Sequence, residues 1–228
     1  MLVLFDIDGT LLLSGGAGYQ SMGAAGRELF GPDFTTDGVD YAGRLDPIIF
    51  RMLAEVNGID DHLAHHDQFR ATYRRELESR LGQTHHARAL PGARDLVDAC
   101  TAHDAIAMGI VTGNYEETGR MKVANAGYDV EAFRFSAWGS DGATRRDLPP
   151  HAIAKYESTH AGIDRSSVVV IGDTPHDIDC AHANGCRVIA VCTGPSHHAD
   201  DLAGADLVVD DLTDTAALMS WITGTAGG

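Results

Sequence analysis

Near its amino end the chain carries a short apolar run, Leu2 to Phe5, that is closed at once by Asp6-Ile7-Asp8-Gly9-Thr10. Such a run before an Asp-Gly turn signal predicts a buried strand that ends in a loop. Because side chains two residues apart on a strand point the same way, we expect Asp6 and Asp8 together at the carboxyl end of this strand. Adjacent carboxylates repel each other unless a cation lies between them or one keeps its proton. The alternative is a hairpin in which Asp-Gly is only turn chemistry.

A second acidic pattern follows the β-branched run from residue 168 to 171, where the sequence continues Gly172-Asp173-Thr174-Pro175-His176-Asp177. Asp173 is expected at a strand end and Asp177 in the first turn of the next helix. A hard divalent cation prefers oxygen ligands, so Asp6, Asp8 and Asp173 could hold one if their strands are neighbours. Asp177 could instead act only as a charge at a helix amino terminus.

A third pattern lies between these two. The apolar run from residue 106 to 111 ends in Thr112-Gly113-Asn114, before a segment with helical character from Glu116 to Ala126. A hydroxyl and backbone N–H groups at a helix amino terminus can bind an anion. Thr112 or Asn114 could also simply cap the helix, and the two roles are compatible.

The remaining pattern indicates the fold class. Strands are also predicted at 133–136, 187–191 and 206–209, and helical stretches separate most of the strands, which is typical of an α/β protein with a doubly wound parallel sheet. The interval from Ser14 to about Arg88 contains helical patterns near 18–29, 47–57 and 64–80 and no convincing strand. We therefore predict a core of residues 1–13 and 89–228 and an inserted all-helical unit at 14–88.

Composition narrows the choice of partners and location. A formal net charge of −16 argues against nucleic acid and anionic membrane partners, which require positive patches. The sequence contains no uninterrupted stretch of about 18 apolar residues, so we expect no membrane span. The first predicted strand begins at Leu2, so we expect no cleavable signal, and four cysteines without a CxxC pair predict buried thiols in a cytoplasmic protein.

Two further features are assigned no site. Adjacent histidines such as His85-His86 point apart on a helix or strand, so they are predicted to be surface residues and not metal ligands. The glycine-rich residues 224–228 are expected to form a frayed tail. Nothing in the sequence predicts the oligomeric state.

The three strand-end patterns resemble the motifs of the haloacid dehalogenase superfamily of phosphotransferases. Its first motif, DxDGT, corresponds to Asp6, Asp8, Gly9 and Thr10, its second to Thr112, and its fourth, GDxxxD, to Gly172, Asp173 and Asp177. The resemblance spans the chain as far as Asp177, and it implies a Rossmann-like core. The helical insertion resembles the helical type 1 cap of the family, and the phosphoglycolate phosphatase-like branch is the most similar.

The resemblance implies a Mg²⁺-dependent phosphatase that hydrolyses a small phosphomonoester, either phosphoglycolate-like or a sugar phosphate. Asp6 would attack phosphorus and form an aspartyl-phosphate, and Asp8 would act as general acid and then as general base. Mg²⁺ would be held by Asp6, the backbone carbonyl of Asp8 and Asp173, with Asp177 behind them or bound through water.

Phosphate binding is the next implied role. The Thr112 hydroxyl and backbone N–H groups near Gly113 and Asn114 are expected to hold phosphate oxygens, and Thr10 is expected to contact substrate. Residues 43–47 resemble the specificity loop of the family. Within that loop, Arg44 could meet an anionic group of the substrate or could be a solvated turn residue.

The third family motif, a Lys or Arg, has no clear match. Arg145 is the first choice for this cation, followed by Arg146 and then Lys122, because the helical rise places Lys122 roughly 12 Å from the phosphate end. Both arginines could instead belong to a solvated charged loop.

Alternative functions stay open at this point. A phosphomutase on the same scaffold would keep Asp6 and Asp8, and a non-hydrolytic phosphoacceptor or binding protein is the alternative from a different class. Phosphonatase-type chemistry is disfavoured because no lysine precedes Lys122, and dehalogenase chemistry would leave Asp8, Asp173 and Asp177 without a task.

Overall fold

The structure is a computed structural model that describes residues 1–83 and 87–224. The predictions for His85-His86 and for residues 225–228 therefore lie outside the described residues. The strands are β1 (Leu2–Phe5), β2 (Leu12–Leu13), β3 (Arg88–Ala89), β4 (Ala107–Ile110), β5 (Val168–Gly172), β6 (Arg187–Val191) and β7 (Leu207–Val209). The α-helices are α1 (Ala17–Phe30), α2 (Asp46–Val56), α3 (His62–Gln83), α4 (Ala93–Thr101), α5 (Glu116–Asn125), α6 (Leu148–Glu157), α7 (Pro175–His182) and α8 (Thr215–Thr223).

Five strands form one parallel sheet in the order β4-β1-β5-β6-β7. In β1, Leu2 pairs with Ala107 of β4 on one side and with Val168 of β5 on the other. The strand nearest the amino end therefore lies between the two strands that carry the other motifs. This topology confirms the predicted doubly wound α/β fold, and it brings the three strand-end motifs to the same edge of the sheet.

Both faces of the sheet are buried, as parallel sheets require. Val3 and Phe5 of β1 pack into one apolar cluster, which also contains side chains of α1–α5 and α8. Leu2 and Leu4 point to the opposite face, where they pack against side chains of α6 and α7. Alternate residues of one short strand thus supply both halves of the core.

The predicted helical insertion leaves and rejoins the sheet domain through a short stem. In this stem β2 and β3 pair antiparallel, with Leu12 opposite Ala89 and Leu13 opposite Arg88. Gly16 precedes α1 with a φ of 81°, a conformation that favours glycine. Between β2 and β3 lie α1, α2 and α3, close to the predicted helical ranges, and the domain boundaries at 13/14 and 88/89 stay a prediction.

One predicted strand is wrong. Residues 133–136 form no strand, although Phe135 N and Ala137 N donate to carbonyl oxygens of β4 at 3.2 and 2.7 Å. A 3₁₀ turn at Val130–Ala132 leads into this segment, and the Ser136 hydroxyl accepts the hydrogen bond of the Ile110 N–H at 2.9 Å. A side chain thus takes the place of a backbone partner, so a regular ladder does not form.

Two predictions from composition can be compared with the described part of the chain. All four cysteines are free, and Cys100, Cys180 and Cys186 are buried. Within residues 1–83 and 87–224, none of the helices has both the length and the apolar character needed to cross a bilayer.

Candidate active site

Asp6 and Asp173 follow β1 and β5 directly and Thr112 lies two residues after the end of β4, so the sheet order places all three at one edge. The backbone around them is tight. A Cβ atom on Gly9, whose φ is +87°, would lie 2.2 Å from Asp173 Oδ2, and one on Gly194 would lie 1.7 Å from the same oxygen. Glycine at these two positions gives the Asp173 carboxylate its space.

A cluster of three buried carboxylates is formed by Asp6, Asp173 and Asp177, which offer oxygen atoms within 4.8 Å of one another. Asp177 is held by its own helix, because its Oδ2 accepts from Thr174 N at 3.0 Å and from Thr174 Oγ1 at 2.8 Å in a capping box at the start of α7. The Asp8 side chain is directed elsewhere, toward Asn114 and Lys122.

Burial has a clear electrostatic effect on this cluster. Desolvation raises the pKa of Asp6 to about 6, although the guanidinium of Arg145 acts in the opposite direction. Desolvation and the neighbouring charges of Asp6 and Asp177 also raise the pKa of Asp173 well above its usual value. One guanidinium therefore does not balance three carboxylates, and a divalent cation would supply the missing charge.

Arg145 lies inside the site, at the start of a 3₁₀ turn, Arg145–Asp147. Its Nη2 is 3.0 Å from Asp6 Oδ1 and 2.5 Å from Asp177 Oδ1, and Nη1 donates to Gly43 O at 3.3 Å. Arg146 points away and forms an exposed ion pair with Asp179. The two neighbouring arginines are thus separated into a buried site residue and a surface residue.

The predicted position of Lys122 is wrong. Its Nζ lies 2.6 Å from Asp8 Oδ2 and 2.7 Å from Asn114 Oδ1, and the side chain is buried. The direction of the side chain explains the difference from the predicted distance of about 12 Å. Lys122 lies in the second turn of α5, and long helical side chains lean toward the amino terminus of their helix.

The Thr112-Gly113-Asn114 segment connects both halves of the site. Asn114 Nδ2 donates to Asp8 Oδ2 and to Thr112 Oγ1, each at 2.9 Å. From the helical side, Asp46 N donates to Gly113 O at 2.7 Å, while Asp46 Oδ2 accepts from Tyr115 N at 2.9 Å. The first residue of α2 is therefore bonded on both sides of Asn114.

Of two residues predicted to contact substrate, Arg44 lines the cavity and Thr10 does not. The buried Thr10 hydroxyl donates to Asp173 Oδ1 at 3.3 Å and does not line the cavity, so its position suits an orienting contact to a carboxylate better than a substrate contact. Arg44 does line the cavity, and its Nη2 is 3.0 Å from Asp40 Oδ2. The proposed binding role of Arg44 stays a prediction.

Sequence reasoning missed several residues of the site. Asp46 was predicted only as part of the specificity loop, because nothing in its spacing shows that the start of α2 meets a loop of the sheet domain. Pro195 and Ser196, which line the cavity, follow β6 at the same edge of the sheet as Asp173. A Thr-Gly-Pro-Ser sequence directly after a predicted strand is the signal that could have found them.

The site opens into a cavity of about 460 Å³ between the sheet edge and the inserted helices. The core side is polar, with Asp6, Asp8, Thr112, Asn114, Lys122, Arg145, Asp173 and Thr174 along it. The helical side carries Leu13, Tyr19, Met22, Tyr41, Arg44, Ile49 and Tyr73. The arrangement joins a buried acidic cluster, two cationic side chains and a pocket of ligand size.

Comparisons with solved structures show the same fold at low sequence identity. A hydrolase from Pseudomonas syringae superposes with a TM-score of 0.72 at 20% identity, covering 97% of this chain and 98% of that one. A predicted phosphoglycolate phosphatase from Haemophilus somnus gives 0.68 at 19%, covering 96% and 97%. A β-phosphoglucomutase from Clostridium difficile gives 0.70 at 14%, covering 98% and 97%.

Sequence comparison adds a family and a partial relative. The chain is 33% identical over 132 residues to the Pre-protein-C8 of a Halobacterium strain, a match that covers 47% of each protein, so the chain spans about half the length of that relative. The family described as haloacid dehalogenase-like hydrolase matches residues 3–191, which include β1, β4, β5 and every member of the acidic cluster. The chain therefore belongs to the haloacid dehalogenase-like hydrolase family, whose structural neighbours here include phosphatases and phosphomutases.

Proposed function

We propose that the protein is a Mg²⁺-dependent phosphatase that hydrolyses a phosphomonoester through an aspartyl-phosphate on Asp6. The observation that carries this proposal is the buried cluster of Asp6, Asp173 and Asp177, of which Asp6 and Asp173 line the cavity. Carboxylate oxygens are the donors that Mg²⁺ prefers, and the excess of acidic over basic groups in the cluster fits a divalent cation. When bound, the ion would offset the charge of the phosphate group and align it.

The side chains present can perform both halves of the reaction. An Asp6 oxygen attacks phosphorus and the bond from phosphorus to the leaving oxygen breaks, while Asp8 gives that oxygen a proton. Water then attacks the aspartyl-phosphate, Asp8 takes a proton from it, and the bond between phosphorus and Asp6 breaks. Lys122 and Asn114 hold one Asp8 oxygen, Oδ2, so the other oxygen is the one available for proton transfer.

Phosphate binding would use the side chains beside Asp6. The Thr112 oxygen accepts from Asn114, which leaves the Thr112 hydroxyl hydrogen free to point at a phosphate oxygen. The Arg145 guanidinium bridges Asp6 and Asp177, and this fixes it next to the attacking atom. Preorganised donors of this kind stabilise charge that develops in the transition state.

The test is phosphate release from a panel of phosphomonoesters, with Mg²⁺ and with EDTA. p-Nitrophenyl phosphate distinguishes the roles of the two aspartates, because its leaving group needs no proton. The D8N variant should release one equivalent of nitrophenolate in a burst and then stall, whereas D6N should give no burst. Phosphate release that is insensitive to EDTA, or a burst with D6N, would overturn the proposal, and conversion of a sugar phosphate into an isomer would assign the protein as a mutase.

A further inference from the structure

The helical side of the cavity is mostly apolar and aromatic, and its cation, Arg44, is paired with Asp40. Met22 and Ile49 are buried there, and Tyr19 and Tyr41 form an edge-to-face pair with ring centroids 5.5 Å apart. Tyr19 is 49% exposed, so part of its ring is free to contact a ligand. From this wall we propose that the leaving group of the substrate is an electrically neutral alcohol of sugar or nucleoside size, an inference that rests on the proposed phosphatase function.

Each cation that lines the cavity is already paired with a carboxylate of the protein. Among the described residues, these cations are Arg44, Lys122 and Arg145. Arg44 donates to Asp40 through Nε and Nη2 at 3.2 and 3.0 Å, and Lys122 lies 2.6 Å from Asp8. Arg145 is bound between Asp6 and Asp177. A second anionic group on the substrate would have to displace one of these carboxylates.

The carboxylates along the cavity also disfavour a second anionic group. Asp46 lines it beside the helical wall and is buried, with its Oδ2 bonded to Tyr115 N. Asp8 lines the opposite side and is partly exposed. Neither carboxyl group offers an anion a positive charge, and like charges in a site of reduced dielectric repel strongly, so an acid such as phosphoglycolate would bring its carboxylate next to Asp8 without a free counterion.

The size of the cavity also favours a leaving group of sugar or nucleoside size. At about 460 Å³ it falls within the roughly 300–1,000 Å³ typical of pockets for drug-sized ligands. A two-carbon ester would fill a small part of the cavity and leave the apolar side chains of the helical side exposed to water. A sugar or nucleoside would cover Tyr19 and Tyr41 with a ring face, as aromatic side chains in carbohydrate and base recognition do.

Two substrate pairs test the effect of an added negative charge on the leaving group. 2-Hydroxyethyl phosphate and 2-phosphoglycolate are similarly small, and only the second carries a carboxylate; glucose 6-phosphate and glucose 1,6-bisphosphate differ by one phosphate group. We expect kcat/KM to be at least tenfold higher for the member of each pair with the neutral leaving group, and highest for glucose 6-phosphate or a nucleoside 5′-monophosphate. A preference for 2-phosphoglycolate or for the bisphosphate would overturn the inference and leave the phosphatase assignment standing, whereas no hydrolysis of any ester would overturn the proposed function itself.

A pair of variants tests the wall directly. Tyr19→Ala should lower kcat/KM for the sugar and nucleoside esters by about fivefold or more and should leave 2-hydroxyethyl phosphate within twofold, because only the larger group reaches the ring. Leu63→Ala is the matched control, since Leu63 is 75% exposed and lies away from the cavity. An equal loss for large and small esters with Tyr19→Ala would contradict the proposed contact.

Discussion

The core side and the helical side of the cavity are held together by different forces. On the core side, charged groups are fixed by several partners each, as the buried Arg145 is by Asp6 and Asp177 and as the partly exposed Asp8 is by Lys122 and Asn114. The helical side is held by packing, and its ion pair, Arg44 with Asp40, is partly exposed. Removing one partner of a buried pair leaves an uncompensated charge, whereas trimming a packed ring does not. We therefore expect core-side substitutions to abolish chemistry and helical-side ones to change which ester is used.

The largest effect on the core side is expected from Asp6→Asn. An amide does not attack phosphorus, so kcat should fall by more than about 10³-fold. The unfolding transition should stay cooperative, because Asn has the same shape as Asp and the substitution removes one charge from a crowded acidic cluster. Steady-state phosphate release and a denaturant melt measure both quantities, and activity within tenfold of the parent would remove Asp6 from the role of nucleophile.

Next in size is the effect of Arg145→Ala on stability. The variant leaves Asp6 and Asp177 buried without their counterion, which should lower the free energy of unfolding by about 3–5 kcal/mol in EDTA. Added Mg²⁺ should recover part of this loss if the cluster binds the ion. Arg146→Ala is the matched control, because that exposed pair with Asp179 is expected to contribute less than about 1 kcal/mol. Equal losses for the two variants would show that the buried pair has no special weight.

A smaller effect is expected from Lys122→Met, which keeps most of the buried stem and removes the ammonium. Asp8 and Asn114 each lose a hydrogen-bond donor, so kcat should fall roughly 10- to 100-fold, the size seen when a group that orients a directly acting residue is removed. KM should change less than kcat. Lys122→Arg should recover part of the rate, and a variant with Met that keeps full kcat would assign Lys122 a purely structural role.

Much of the core side was predictable from sequence because strand ends in a parallel sheet meet at one edge. Asp6, Thr112 and Asp173 come together through the order of β4, β1 and β5, and each follows an apolar run that marks its strand. The position of Arg145 near the site was predicted only from the loop in which it lies. Its bridging of two carboxylates was not predictable, since that depends on how a 3₁₀ turn orients the side chain.

The incorrect predictions all concern contacts that depend on the three-dimensional arrangement of side chains. The distance for Lys122 was reckoned along a helix axis and ignored the direction of a long side chain. The strand predicted at 133–136 does not form, and there the Ser136 hydroxyl accepts from the neighbouring backbone. The contact of Asp46 with Gly113 and Tyr115 joins parts of the chain far apart in sequence, and local patterns carry no information about such contacts.

The smallest effect concerns Asp46, which belongs to both sides because it starts a helix of the insertion and bonds to the loop after β4. Desolvation raises its pKa from an ordinary value of 3.8 to about 7. The unfolded chain therefore releases this proton at lower pH than the folded protein does. It follows that the contribution of Asp46 to stability is greatest below pH 4, falls as the pH rises toward about 7, and stays constant above that pH.

Asp46→Asn removes this titration and keeps an oxygen that accepts from Tyr115 N. The difference in unfolding free energy between variant and parent should therefore shift in favour of the variant between pH 5 and pH 8, by about 1 to 3 kcal/mol, since each pH unit between 5 and the folded pKa corresponds to about 1.4 kcal/mol. Asp6 and Asp173 titrate in both proteins, so this comparison isolates Asp46. Denaturant melts at the two pH values measure it. A difference that does not change with pH would mean that Asp46 stays ionised at the junction, with Lys122, the neighbouring cation that lowers its pKa, compensating the charge.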